Sequence, residues 1–76
     1  MKKTGKGIID IMISYKPLWK TLIDRDLKKL DLLNIADISR GTLAKMGNNE
    51  AVNLKIIDKI CVELGCTIDE VVEIIL

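Results

Sequence analysis

The chain has 76 residues, enough for one small domain and no second one, because a chain this short lies near the lower limit for folding alone. Its hydrophobic content of 49%, with no Phe, one Trp and one Tyr, offers an aliphatic core without metal or disulfide staples and excludes disorder away from the ends. The net charge of +1 hides an asymmetry: residues 1–59 hold all twelve Lys and Arg against seven acids, giving +5, whereas residues 60–76 hold only Glu63, Asp69, Glu70 and Glu73, giving −4.

Such polarity can orient a domain on a polyanion, although two solvated faces would account for it equally if charge stood alone. Apolar stretches such as Ile11–Ile13 and Val71–Leu76 are far short of the roughly 20 residues a bilayer span requires. Met1-Lys2-Lys3 is not followed as in a signal peptide, since Asp10 interrupts the apolar run and no small-residue cleavage site appears. A cytoplasmic location is expected.

Residues Ile8 to Tyr15 are rich in Ile and suit a short extended segment, after seven charged, glycine-containing residues. Residues 1–11 are therefore expected as a flexible or extended N-terminal arm, ahead of a domain over 12–76. Pro17 suits the first turn of a helix, and Leu18, Trp19, Leu22 and Ile23 share one face, predicting a helix to about Asp26. A second helix is predicted from Lys29 to Ala36, with Leu32, Leu33 and Ala36 inward and no good capping side chain at its start.

Asp37 and Ile38 make a short break, and Ser39 suits the cap of a third helix, Arg40 to Met46, which Gly47, Asn48 and Asn49 end with turn chemistry. Asn53 caps a fourth helix whose stripe is Leu54, Ile57, Ile60, Cys61 and Leu64, closed by Gly65. Thr67 and Glu70 have capping-box spacing, predicting a fifth helix ahead of Val71 and Val72. The terminal run either continues that helix or becomes extended over Val72–Ile75 and pairs with Ile11–Tyr15 in a two-stranded ribbon; local sequence leaves both open.

The informative feature is the second and third helices, set only a few residues apart with Ile38 tucked between them. A turn this short holds two helices at a steep angle, so that the second projects while the first braces it. With Leu43 and Met46 inward, Ser39, Arg40, Gly41, Thr42 and Lys45 lie near the exposed face. Arg40 and Lys45 can donate to guanine edges, Thr42 can bind phosphate or touch a thymine methyl, and Gly41 leaves room for close approach of the backbone. Lys28 and Lys29, at the start of the second helix, are candidates for phosphate.

The stretch from Lys28-Lys29-Leu30-Asp31-Leu32-Leu33 through Ile38-Ser39-Arg40-Gly41-Thr42-Leu43-Ala44-Lys45-Met46 resembles the Cro/repressor-type (XRE-like) helix-turn-helix family. The segments Ile13–Trp19, Lys59–Cys61 and Leu64–Asp69 extend the resemblance to a branch of small bacterial and mobile-element regulators, covering residues 12–76. It implies an all-α, compact five-helix, lambda-repressor-like domain whose third helix enters the major groove with Arg40, Gly41 and Lys45 toward bases. It also implies phosphate contacts at Lys29, Asn48 and Asn49. The chain departs from the family's common pattern with Leu33 in place of Ala and Asp37 in place of Gly at the turn.

Other features are explained by packing. Trp19 lies on the apolar stripe of the first helix. Asp69, Glu70 and Glu73 fit capping and dipole complementarity better than a cation site or acid–base chemistry. Cys61 and Cys66, five apart with no His in the chain, fit the apolar pattern better than a zinc or redox motif. No nucleophile, base and oxyanion donor are arranged together, so no enzyme, metal, cofactor or small-molecule ligand is expected. The expected function is sequence-specific binding of double-stranded DNA as a homodimeric transcriptional regulator of the repressor kind; the alternative is a protein-interaction or antitoxin-like module on the same fold.

Overall fold

The structure is a computed structural model that describes residues 12–75; the expected arm over 1–11 lies outside the described residues. The elements are β1 (Met12–Ser14), α1 (Lys16–Asp24), a 3-10 turn (Lys29–Asp31) running into α2 (Leu32–Ile35), α3 (Arg40–Gly47), α4 (Leu54–Leu64), a second 3-10 turn (Ile68–Glu70) and β2 (Glu73–Ile75). Among the described residues no helix is long and apolar enough to cross a membrane.

Each helix ends on a residue with left-handed backbone: Asp26 (φ 62°), Asp37 (φ 52°), Asn49 (φ 57°) and Gly65 (φ 62°). Asp, Asn and Gly tolerate that region best. At Asp26 the reversal is locked by Leu27 N–H donating to the Leu22 carbonyl at 2.8 Å and Asp26 N–H to that of Ile23 at 3.0 Å, the paired bonds of a Schellman cap. This ends α1 at Asp24, two residues before the predicted limit. At its other end the helix starts one residue earlier than predicted, because the Ser14 hydroxyl oxygen accepts the Lys16 N–H at 3.2 Å. Helix α4 closes in the same way, with Cys66 N–H on the Cys61 carbonyl at 3.0 Å and Gly65 N–H on that of Val62 at 3.2 Å.

The core is built from Tyr15, Leu18, Leu22, Leu32, Ala36, Ile38, Met46, Ile57, Ile60, Leu64 and Val71, so every helix and the C-terminal segment contribute. Two positions depart from the predicted stripes: Ile23 and Leu54 are both 73% exposed. On α1 it is Thr21 that turns inward, and its hydroxyl donates to the Glu70 carbonyl at 2.8 Å. That bond joins the first helix to the second 3-10 turn and satisfies a hydroxyl that burial would otherwise penalise. The predicted inward set of the second helix holds at Leu32 and Ala36, with Leu33 half-buried against the core.

The expected fifth helix is a single 3-10 turn. The Glu70 carboxylate accepts the Thr67 N–H at 3.0 Å, so the capping signal is real, but the chain after Val71 is taken by strand pairing. β2 runs antiparallel to β1 in the register Met12↔Ile75, Ile13↔Ile74, Ser14↔Glu73. The alternation of strand side chains puts Ile13 and Ile74 on one face, and such β-branched cross-strand pairs stabilise a ribbon. The ribbon alternative is thus the one realised, over a slightly shorter span than Ile11–Tyr15 with Val72–Ile75.

Tyr15 ties this ribbon to the helices. Its buried side chain donates its hydroxyl to the Glu50 carbonyl at 2.7 Å, and its N–H donates to Asn49 Oδ1 at 3.3 Å. Burial pushes the Tyr15 hydroxyl above its ordinary 10.0, which keeps it a neutral donor.

Replacing Gly65 with Ala meets no atom within 4 Å, so the expected loss of roughly 1–2 kcal/mol comes from backbone conformation alone. Thermal unfolding should show it as a drop of about 4–8 °C in Tm per kcal/mol. Tyr15→Phe removes only the bond to Glu50 and is expected to cost about 1 kcal/mol by the same measurement.

Candidate nucleic-acid interface

The turn between α2 and α3 consists of Ala36, Asp37, Ile38 and Ser39. Ala36 and Ile38 point into the core, and Asp37 makes the reversal, so the turn is anchored at alternate residues. Ser39 caps α3 as predicted: its Oγ accepts the Thr42 N–H at 3.1 Å and donates to Thr42 Oγ1 at 3.0 Å. Met46 is fully buried and Leu43 half-buried against the core, which rotates Arg40, Gly41, Ala44 and Lys45 outward as exposed residues. The outer face of α3 therefore carries two exposed cations, Arg40 and Lys45, with the small Gly41 and Ala44 between them.

The remaining sequence-predicted residues divide by the work they already do. The hydroxyls of Ser39 and Thr42 are partnered with each other, and Thr42 is half-buried. Asn48 and Asn49 lie exposed in the loop after α3. Asn48 N–H bonds the Ala44 carbonyl at 3.1 Å, whereas the Asn49 side-chain oxygen is engaged by Tyr15. To an anionic ligand Asn49 offers its amide NH₂ as a donor.

Lys28 and Lys29 stand exposed at the first turn of the second helical segment. The missing cap there is supplied from inside the segment, since Asp31 Oδ2 reaches back to accept the Lys28 N–H at 2.7 Å. The Lys29 ammonium sits 4.5 Å from the centre of the Trp19 ring, a cation–π contact that draws it toward α1. Trp19 is half-buried and packed on the core, so its packing role holds, with a cation on its outer face.

Three residues that sequence reasoning passed over shape this region. Lys59 of α4 brings its Nζ to 4.0 Å from Asp37, whose side chain is 95% exposed. The pair is solvated and weak, but it partly offsets the negative charge at the turn. Arg25 donates its guanidinium to the Leu64 carbonyl, one of the unpaired carbonyls at the end of α4, where positive charge is favoured. Tyr15, described above, holds the loop after α3. None carries a motif of its own, because each acts on a partner more than 20 residues away in the chain.

A cleft of about 430 Å³ lies elsewhere, lined by Lys16, Lys20, Asp24, Asp69, Glu70 and Glu73 between α1 and the second 3-10 turn. The acids among them have structural explanations: Glu70 caps Thr67, and Asp69 accepts the Thr67 hydroxyl, which holds its carboxyl below the usual range. The Cys61 and Cys66 thiols are free and half-buried, and burial pushes both above the ordinary thiol value. Among the described residues no three His, Cys, Asp or Glu side chains are grouped to hold a metal ion.

Residues 17–76 match the family model for the Cro/C1-type HTH DNA-binding domain. The chain belongs to that family. The Cro/C1-type match begins at the second residue of α1 and runs through β2, while β1 precedes it. Among solved structures, the transcriptional regulator VanUg (crystal form II) is similar at 37% sequence identity and a TM-score of 0.85, over 96% of this chain and 97% of that one. No curated protein matches the chain.

Gly41 is not required by the fold of this Cro/C1-type domain. Its φ is not in the left-handed region, and a Cβ there would meet only Ser39 Oγ, at an ordinary 3.8 Å. Gly41→Ala is therefore expected to stabilise α3 by about 0.5 kcal/mol through helix propensity. If the glycine serves close approach to a ligand, the same variant binds DNA less tightly while melting higher; equal or tighter binding would remove it from the interface.

Proposed function

We propose that the chain is a transcriptional regulator that binds double-stranded DNA sequence-specifically as a homodimer, with α3 in the major groove, and that it acts as a repressor by occupying a promoter or operator. The observation that carries this reading is the exposed outer face of α3, where Arg40 and Lys45 flank Gly41 and Ala44 on a helix whose opposite face is locked into the core. A helix held so rigidly presents its cations at fixed positions, which base readout requires.

In this reading Arg40 donates to a guanine edge in the first turn of α3, and Lys45 contacts a base or phosphate farther along. Gly41 permits backbone approach, and Thr42 lies against phosphate or a thymine methyl. Ser39 contributes mainly by fixing the helix start. Lys28, Lys29, Asn48 and the amide NH₂ of Asn49 hold phosphates on either side, setting register without reading sequence. One module of this size makes few base contacts, so specificity comes from two copies on half-sites about one helical turn apart.

Fluorescence anisotropy with the DNA upstream of the protein's own gene and with a scrambled duplex, at two salt concentrations, tests the reading. The upstream DNA should be preferred and affinity should fall steeply with salt. Arg40→Ala should cost roughly 1–3 kcal/mol and relax preference at one base pair, whereas Lys29→Ala should weaken all sequences alike and lower the salt slope by about one. Absence of salt-dependent binding to either duplex would replace this reading with the protein-interaction one.

A further inference from the structure

We propose that Cys61 and Cys66 form an oxidisable dithiol, in which Cys61 reacts with a small uncharged hydroperoxide and Cys66 then closes an intramolecular disulfide across the end of α4. The pairing begins in the backbone. On an unbroken helix, residues five apart point to different sides. The left-handed reversal at Gly65 turns the chain back instead, so that Cys66 N–H donates to the Cys61 carbonyl at 3.0 Å. Cys61 and Cys66 are thus the two outer positions of the Schellman cap, whose side chains meet over the end of the helix. Here both are thiols, and the Cys66 S–H donates to the Cys61 sulfur.

The two sulfurs are not equivalent. A hydrogen bond received from Cys66 favours negative charge on Cys61, which makes Cys61 the nucleophile of the pair. Cys61 also lines a hollow of about 360 Å³ with Leu54, Ile57, Asp58 and Ile68, and Cys66 does not. An oxidant entering the hollow therefore meets Cys61 first. The lining is aliphatic apart from one carboxylate, and Asp69 and Glu70 also act on Cys61. A negatively charged oxidant is repelled there, whereas a small uncharged one is not. Burial holds both thiols above the ordinary value, so the thiolate is scarce at neutral pH and the reaction is slow.

In the first step the Cys61 thiolate attacks one oxygen of the hydroperoxide and the O–O bond breaks. Cys61 becomes a sulfenic acid, and the departing oxygen leaves as an alcohol, or as water from hydrogen peroxide, after taking up a proton. In the second step the Cys66 sulfur attacks the sulfenic sulfur, the S–S bond forms, and the hydroxyl leaves with the Cys66 proton as water. With hydrogen peroxide, two thiols and one peroxide give one disulfide and two waters; the sulfurs are oxidised and the peroxide oxygens reduced. The disulfide ties α4 to the segment that carries the second 3-10 turn and β2. None of the nine residues assigned above to DNA lies in this pair, so the site stands or falls independently of the DNA reading.

Mass spectrometry of the full chain after exposure to hydrogen peroxide tests the site. The intact protein should lose two hydrogens, peptide mapping should place the bond between Cys61 and Cys66 of one chain, and a reducing agent should restore both thiols. Cys66→Ser should stop at a Cys61 sulfenic acid that dimedone captures, whereas Cys61→Ser should take up no dimedone under the same exposure. Because the bond closes a cap already formed, the oxidised protein should melt several degrees above the reduced one.

Thiols that stay reduced, or disulfides found only between chains, overturn the proposal. So does Cys61 driven on to the sulfinic acid while Cys66 remains a thiol, since the second sulfur would then be out of reach. Capture of dimedone by Cys66 in Cys61→Ser overturns the assignment of the nucleophile. A lower Tm on oxidation would mean that the bond forms only by breaking the cap, and overturns it too.

Discussion

The two bonds made by Tyr15 determine where the loop after α3 goes, and through it how α3 meets the rest of the molecule. Tyr15 stands between β1 and α1 and is 1% exposed. From there its hydroxyl and its N–H reach Glu50 and Asn49. A buried phenol must place its hydroxyl on a partner, and here it donates to the carbonyl of Glu50, in the loop after the helix. The same side chain therefore fills the core and fixes the end of α3. Because Met46 holds that helix from below and Ser39 caps its start, α3 is constrained at both ends and along one side, with its outer face left to solvent.

The rest of the architecture follows from how each helix is stopped. Three of the four reversals use Asp or Asn, and only the last uses Gly. These side chains accept left-handed backbone at moderate cost, and their polarity keeps the turns at the surface. At the turn between α2 and α3 this places a carboxylate beside the candidate interface, with Lys59 close by. The same substitution that departs from the family's commoner Gly therefore has a partner in this chain.

Much of this was legible in the sequence because the signals are local. The Ser39 and Asn53 caps, the Gly65 stop and the inward Leu32, Ala36, Met46, Ile57, Ile60 and Leu64 each depend on neighbours within a few residues. Of the candidate site, spacing and cap pointed to α3, and Arg40, Gly41 and Lys45 are exposed where periodicity placed them, whereas Thr42 is half-buried. Long-range features were not legible. Thr21 faces inward because Glu70 offers it a carbonyl, and Ile23 and Leu54 face outward because no element among the described residues covers them. The capping box at Thr67 predicts a helix that the pairing of β2 with β1 cuts short after one turn. The internal commitments of Asn49 and Lys29, which narrow what they can offer DNA, depend on Tyr15 and Trp19 and were invisible to motif reading.

The ribbon also governs when the domain can be finished during synthesis. β1 emerges from the ribosome early, but its partner follows about 60 residues later, and Thr21 waits nearly as long for Glu70. α1 can coil and collapse onto α2 and α3 meanwhile, yet its anchoring depends on the final stretch of chain. Closing a loop of this span carries a larger entropic cost than any helix–helix contact in the molecule. A truncated or stalled chain lacking that stretch would expose the underside of α1 and the edge of β1 together, surfaces on which chaperones and proteases act.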